Sequence, residues 1–210
     1  MDKRFWAIIG VIIAIFAGVL WINGNKNDNN GQASGNAQPT SHLKGNTTSA
    51  VKFVEYGDYQ CPYCAQYQPV LSQVFQKYKD TVSFQFRNLP LTQIHQNGLA
   101  GARAAEAADL QGKFWEMHDL LYQNQNSWAQ SSNPLSMFDA YAQQLGLNAS
   151  QFDKDFASSK VNDRINADKA EFNKTGQQLS TPTFFLNGKK ITATTLDEFS
   201  KLIDEALKNK

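Results

Sequence analysis

The stretch Phe53–Cys64, FVEYGDYQCPYC, holds both cysteines of the 210-residue chain. Its first half, together with Val51 and Lys52, has the β-branched and aromatic content of a buried strand ending at Gly57. A short connection, Asp58 to Gln60, leads to Cys61 and Pro62. Proline suits the first turn of a helix, where its missing N–H would have had no partner. The helix expected after it reads YCAQYQPVLSQVFQKYKD, with Val70, Val74 and Phe75 or Tyr78 at core spacings and a kink at Pro69. The thiol pair therefore opens a helix directly after a strand.

Outward from this unit, TVSFQFRNLPL alternates Val82, Phe84 and Phe86 inward and reads as a second strand. Residues from about Thr92 to Thr175 carry helical patterns, including LAGARAAEAADLQGKFWEMHDLLYQNQ, with a core stripe at Phe114, Met117, Leu120 and Leu121. A helix beginning at Asn148 or Ser150 is expected to run to Gly176. TPTFFLNGKKITA then reads as a hairpin turned by Asn187-Gly188, a type I′ signal. The last helix, TLDEFSKLIDEALKN, presents Leu196, Phe199, Leu202, Ile203 and Leu207 to the core. The order β-α-β, helical block, β-β-α describes an α/β sandwich with helices inserted between the halves of its sheet.

The N-terminus carries a different signal. Phe5–Ile22, FWAIIGVIIAIFAGVLWI, is uncharged and mostly apolar, preceded by Lys3 and Arg4 and flanked inside by Trp6 and Trp21. As a helix it would measure about 27 Å, close to the hydrocarbon thickness of a bilayer. The charge asymmetry predicts a retained single-span anchor at residues 5–22, with residues 1–22 holding a cytoplasmic N-terminus and the rest of the chain extracytoplasmic. The run is longer than a signal-peptide core and leaves through Leu20-Trp21-Ile22-Asn23, a poor cleavage site. Residues 23–50, rich in Asn, Gly, Ser and Thr with Leu43 nearly alone as an apolar residue, are expected to form a flexible linker. The globular domain is expected at 51–210, with its helical insertion at about 92–175. The chain has 20 basic and 19 acidic residues, so no basic surplus points to nucleic acid.

Three chemistries compete for a CxxC pair. A structural zinc site needs about four ligands. Only His42, His95 and His118 are available to join the cysteines, and no two have ligand spacing, so no metal is expected. A structural disulfide would close a loop too small to restrict the unfolded chain much. A redox pair has positive support. At the helix N-terminus, unpaired N–H groups and the dipole favour a thiolate, making Cys61 the expected exposed nucleophile. Cys64, one turn on, is the more buried resolving thiol. An exported domain with no other cysteine also offers a reactive pair nothing to misjoin with. Redox chemistry is the reading that fits the inventory.

FVEYGDYQCPYC, the helical block and TPTFF, in this order and spacing, resemble the DsbA-like thiol–disulfide oxidoreductases of the thioredoxin superfamily, in the manner of its membrane-anchored bacterial members. The resemblance runs from about His42 to the C-terminus. It implies a thioredoxin-like fold with an inserted helical subdomain, no cofactor, and a catalytic Cys61-Pro62-Tyr63-Cys64 motif. It places a cis-proline loop at Thr181-Pro182, where the Thr181 backbone pairs with an extended substrate and its hydroxyl donates to the Cys61 thiolate. Pro62 and Tyr63 share that substrate-facing surface. Glu55, within an apolar strand, falls where the family buries an acid beneath the resolving cysteine as proton acceptor and donor. Asp58 reads as a turn or capping residue; His95 and His118 read as surface or packing residues, and Trp115 with Phe114 as core.

The activity so implied is introduction of disulfides into reduced exported polypeptides by a monomer, with reoxidation by a membrane quinone-linked partner of the DsbB or VKOR type. One departure bears on strength. Strong oxidants of the family commonly have a histidine where Tyr63 stands, and a tyrosine cannot place a positive charge beside the thiolate. A weaker oxidant is expected. The alternatives are a reductase or isomerase using the same motif, a tethered client-binding or chaperone module with idle cysteines, and a metal-delivery role.

Overall fold

The computed structural model describes residues 37–209. The expected anchor at 5–22 and the first part of the expected linker lie outside the described residues. Among the described residues no helix is long and apolar enough to cross a membrane.

A five-stranded sheet organises the domain. Its strands are β1 (His42–Gly45), β2 (Lys52–Gly57), β3 (Ser83–Asn88), β4 (Thr183–Leu186) and β5 (Lys189–Ile191), in the order β1-β3-β2-β4-β5. β2 and β3 are parallel, joined by α1 (Pro62–Tyr78); the other pairings are antiparallel. This is a thioredoxin-like α/β arrangement. α1 runs unbroken through Pro69. Between β3 and β4 lie α2 (Gly98–Asp109), α3 (Phe114–Gln123), α4 (Gln125–Trp128), α5 (Leu135–Gln144), α6 (Ala149–Phe156) and α7 (Ser159–Lys174). α8 (Leu196–Lys208) ends the fold, entered through a capping box in which Thr195 and Glu198 satisfy each other's backbone N–H.

The pleat divides the sheet's side chains between two layers. Phe53, Phe84, Phe184 and Leu186 face α1 and α8, where they pack with Val74, Tyr78, Phe199 and Ile203. Tyr56 and Phe185 point the other way and meet Phe172 of α7. Phe86, on the first face but farther along β3, belongs to a third cluster with Tyr59, Cys61, Cys64 and the buried side chains of α2 and α3. The helical block thus reaches the sheet at the end that carries the cysteines.

Two expectations require correction. Part of the expected linker is ordered: β1 pairs with β3 through His42↔Phe86 and Lys44↔Phe84. Leu43, the apolar residue of that segment, is 39% exposed, whereas His42 is buried. What fixes β1 is charge. The His42 ring stacks on Phe114 with centroids 3.4 Å apart, its Nε2 lies 2.5 Å from Glu106 Oε1 and its Nδ1 3.3 Å from Asp109 Oδ1. Burial opposes protonation of His42, but the two carboxylates outweigh it and its pKa is raised. Arg164 of α7 closes the network, 3.1 Å from Glu106 and 2.6 Å from Asp109. The second correction concerns the helix expected from Asn148 to Gly176. It is two helices, because Asn148 caps α6 through the N–H of Gln151 and Ser158 caps α7 through that of Val161. At the hairpin, Asn187 (φ 50°) and Gly188 (φ 78°) both adopt the left-handed conformation of a type I′ turn.

The network offers a test. Arg164→Met leaves the buried Glu106 carboxylate without its guanidinium and should destabilise the domain by about 3 kcal/mol in denaturant unfolding. A loss within experimental error would show that the remaining partners of Glu106 suffice.

Candidate active site

Cys61 is the N-cap of α1 and Pro62 its first helical residue. The cap is in extended conformation, as is usual for the residue that opens a helix. The Cys61 pKa is lowered to about 6. The largest cause is a hydrogen bond from the Cys64 thiol; burial works against it, and the Thr181 side chain and the N–H groups of Cys64 and Tyr63 add to the lowering. The Cys64 pKa is pushed well up, chiefly by burial and then by its neighbour Cys61. One thiol is an anion at neutral pH and the other is not.

Cys61 is less open than expected. It is 4% exposed against 0% for Cys64, so the nucleophile shows only a sliver of surface. The covering group is the loop before β4. Its Thr181-Pro182 bond is cis, and the Thr181 carbonyl accepts from the Cys61 thiol at 3.4 Å. The Thr181 hydroxyl is buried with no other partner, free to donate to the thiolate. Tyr63, in contrast, is 64% exposed between the two cysteines.

Glu55 projects from β2 on the sheet face that carries Phe53 and Phe84. It is buried, and its Oε1 has no hydrogen-bond partner. Burial raises its pKa to about 8, partly offset by Lys44 and reinforced by the Cys61 charge. An ionised carboxylate would be costly there, so Glu55 holds a proton at neutral pH. It lines a cavity of about 450 Å³ between α1 and α3 that also reaches His118 and Tyr122.

The segment from Asp58 to Cys61 is bonded to the helical block at every residue, and periodicity gave no hint of this. Asp58 accepts from the N–H groups of Gln60 and Leu91, each at 2.8 Å, and lies 2.7 Å from His95 Nδ1. A Cβ added at Gly98, where α2 begins, would stand 2.7 Å from the same carboxylate, so that approach requires glycine. The Tyr59 hydroxyl meets His118 Nδ1 at 3.1 Å. Gln60 accepts from the Asn97 N–H at 2.5 Å and donates to the Ala129 carbonyl at 2.6 Å. Gln125 donates to the carbonyls of Tyr59 (2.7 Å) and Cys61 (2.9 Å). Asp58 is a turn residue, as its type suggests, while His95 and His118 are partners of the active-site segment. A buried glutamine such as Gln125 breaks an apolar pattern instead of making one, and no sequence period marks it.

A family model described as thioredoxin matches residues 37–205. The chain belongs to that family. Solved structures of several oxidoreductases share the fold. Oxidised BdbD of Bacillus subtilis superposes with a TM-score of 0.71 at 23% identity, covering 82% of this chain and 97% of that one. For α-DsbA1 of Wolbachia pipientis the values are 0.71, 23%, 81% and 92%. A thioredoxin-like oxidoreductase from Silicibacter pomeroyi DSS-3 gives 0.68 at 25% identity, with 81% and 94% covered. Sequence relatives include the Na(+)/H(+) antiporter NhaA 3 of Salinispora tropica, 37% identical over 151 residues, and the NhaA antiporter of Herminiimonas arsenicoxydans, 31% over 150. Each match takes in 71% of this chain but only 22% and 23% of the antiporter. The chain spans less than a quarter of those relatives.

Two titrations test the site. In reduced protein, alkylation of Cys61 should rise with a midpoint near pH 6, as its pKa of about 6 requires, and Thr181→Val should move the midpoint up by removing a group that favours the thiolate. Glu55 is ionised near pH 4.5 when unfolded but near pH 8 when folded, so folding loses stability as pH rises between those values. Glu55→Gln should therefore leave stability at pH 4 unchanged and increase it at pH 8, on the order of 4 kcal/mol. Equal effects at both pH values would mean that Glu55 titrates normally.

Proposed function

We propose that this chain is a thiol–disulfide oxidoreductase that introduces disulfide bonds into exported polypeptides from the outer side of a membrane. The observation that carries the reading is the sorting of the dithiol: an acidic Cys61 against the cis-proline loop, with a protonated Cys64 one turn behind it. In the oxidised enzyme a client thiolate attacks Cys61 Sγ. The Cys61–Cys64 bond breaks, and Cys64 leaves as a thiolate that takes the proton held by Glu55. A second client thiolate then attacks the client sulfur of the mixed disulfide, releasing Cys61 as its stable thiolate. The client loses two electrons and the enzyme gains them.

The surface suits an unfolded client. Tyr63, Ile94 at 72% exposure and Leu179 at 47% are large hydrophobic side chains left open. Tyr63 sits in the motif, Leu179 two residues before Thr181, and Ile94 next to His95, which pairs with Asp58. An extended chain lying along the Thr181 backbone would meet apolar side chains around the reactive sulfur. The location rests on the apolar run at 5–22 and its charged flank, and relatives within antiporters accord with thiol chemistry beside a membrane. Reoxidation is assigned to a membrane partner of the DsbB or VKOR type acting on the monomer.

Strength follows from Cys61. A thiolate stabilised to a pKa of about 6 lies between about 7 for thioredoxin and about 3.5 for DsbA. Stabilising the reduced form makes a centre more oxidising, so the reduction potential should fall between about −270 and about −120 mV. Equilibration with glutathione buffers measures it, and a value at or below thioredoxin's would favour the reductase reading. Cys64→Ser whose Cys61 is first converted to a mixed disulfide with glutathione should trap reduced clients as the client thiolate displaces glutathione from Cys61, whereas Cys61→Ser treated in the same way should trap none. Client binding that survives alkylation of both cysteines would point to a chaperone module instead.

A further inference from the structure

The turn between β3 and α2 is fastened to the reactive turn through one carboxylate. Asp58 is 1% exposed, and three donors meet its side chain: the N–H groups of Gln60 and Leu91 and the His95 ring. A carboxylate only accepts, so His95 Nδ1 is the nitrogen that carries the proton. The same neighbours hold the histidine. Its N–H donates to the Leu91 carbonyl at 2.9 Å, and its carbonyl accepts from the Gly98 N–H at 3.2 Å. Leu91 therefore gives its N–H to Asp58 and its carbonyl to His95. Gly98 crowds the carboxylate while bonding the residue that pairs with it. Gripped in this way, the Asp58 side chain cannot change rotamer without breaking buried hydrogen bonds.

The backbone of the same residue serves both cysteines. The Asp58 carbonyl accepts from the Cys61 N–H at 3.0 Å, and the Asp58 N–H is directed at the Cys64 sulfur. We propose that His95 is a positioning residue for the thiol chemistry: it locks the Asp58 side chain so that the Asp58 N–H stays aimed at Cys64 Sγ and meets the charge that appears there when the disulfide opens. The proposal rests on the disulfide-exchange reading given above. As a client thiolate attacks Cys61 Sγ, a bond forms between the client and Cys61. The Cys61–Cys64 bond breaks, and its electron pair departs on Cys64 Sγ. That sulfur is fully buried, where an anion is costly without a donor, and the Asp58 N–H is in place before the Glu55 proton arrives. In thiol–disulfide exchange the better stabilised leaving thiolate departs faster.

Burial, the neighbouring Cys61 and the Glu55 carboxyl all oppose a thiolate at Cys64, and the Asp58 N–H acts the other way. Two of the three donors to the Asp58 carboxylate are main-chain N–H groups set by the course of the chain. The third is a side chain, and it stands at the rim: His95 is 15% exposed in its side chain, Asp58 0%. The residue before it, Ile94, is 72% exposed. The turn that offers Ile94 to a client is thus the turn that clamps Asp58.

The test separates the sulfur that leaves from the sulfur that is attacked. Single-turnover reduction of the oxidised full-length chain by a cysteine-containing peptide has Cys64 as leaving group. In Cys64→Ser carrying glutathione on Cys61, the same peptide displaces glutathione instead. His95→Phe should slow the first reaction severalfold and leave the second at its rate in Cys64→Ser alone. The alkylation midpoint of Cys61, which reports an intact helix mouth, should stay near its wild-type value. His95→Asn places an amide N–H where Nδ1 stood and should restore most of the lost rate. If His95→Phe slows both reactions alike, its effect is a loosened turn and the assignment is overturned. Slowing neither overturns it as well, as does a His95→Asn protein no faster than His95→Phe. Should His95→Phe fold poorly, His95→Leu carries the same comparison. A wild-type disulfide that the peptide does not reduce would sink the exchange reading itself, which the His95 variants leave untouched.

Discussion

Placing two sulfurs and a carboxyl group in one poorly solvated pocket at the end of a helix makes their charges compete, because the medium supports few of them. The N-terminus of α1 decides the contest. Its N–H groups and the Cys64 thiol favour negative charge at Cys61, and the same burial that is tolerated there pushes Cys64 and Glu55 toward their neutral forms. Three groups that would titrate in a different order in water are separated into an anion, a thiol and a protonated acid. The division of labour between nucleophile, resolving thiol and proton store is therefore a consequence of where the helix begins.

That arrangement needs its rigidity from outside the sheet. β2 ends at Gly57, and five residues later the chain is already in α1. The intervening turn is too short to hold itself, and the inserted helices supply its hydrogen bonds through His95, Asn97, His118, Gln125 and Ala129. The opposite end of the insertion is fixed to β1 by the His42, Glu106, Asp109 and Arg164 network. The helical block is joined to the sheet at the reactive turn and again at the edge strand.

The sheet, its crossover helix, the hairpin and the position of the insertion were legible because each has a period or a turn residue that announces it. Val51 to Gly57 is rich in β-branched and aromatic residues, and Asn187-Gly188 can scarcely be anything but a tight hairpin turn. The cysteines and Glu55 were legible for a related reason: a reactive residue type in an apolar context is conspicuous. β1 was not legible, since HLKG has no apolar alternation and its buried member is a histidine answered by acids more than sixty positions away. The same holds for Gln125 and His95. A polar side chain whose partners lie in other elements leaves no local pattern, and only the folded arrangement shows what it touches.

The bonding of the reactive turn to the insertion has a consequence for how such a chain can change over time. In a sheet whose catalytic loop closes on itself, an inserted subdomain could be trimmed or exchanged freely. Here deletion of the helices would strand the carbonyls of Tyr59 and Cys61, the Gln60 amide and the Asp58 carboxylate together, each losing a partner in a buried setting. The insertion is consequently a part that cannot be inherited separately from the chemistry. Its outer surface is open to variation, while the few side chains that reach the turn bind the two halves of the domain to a shared history.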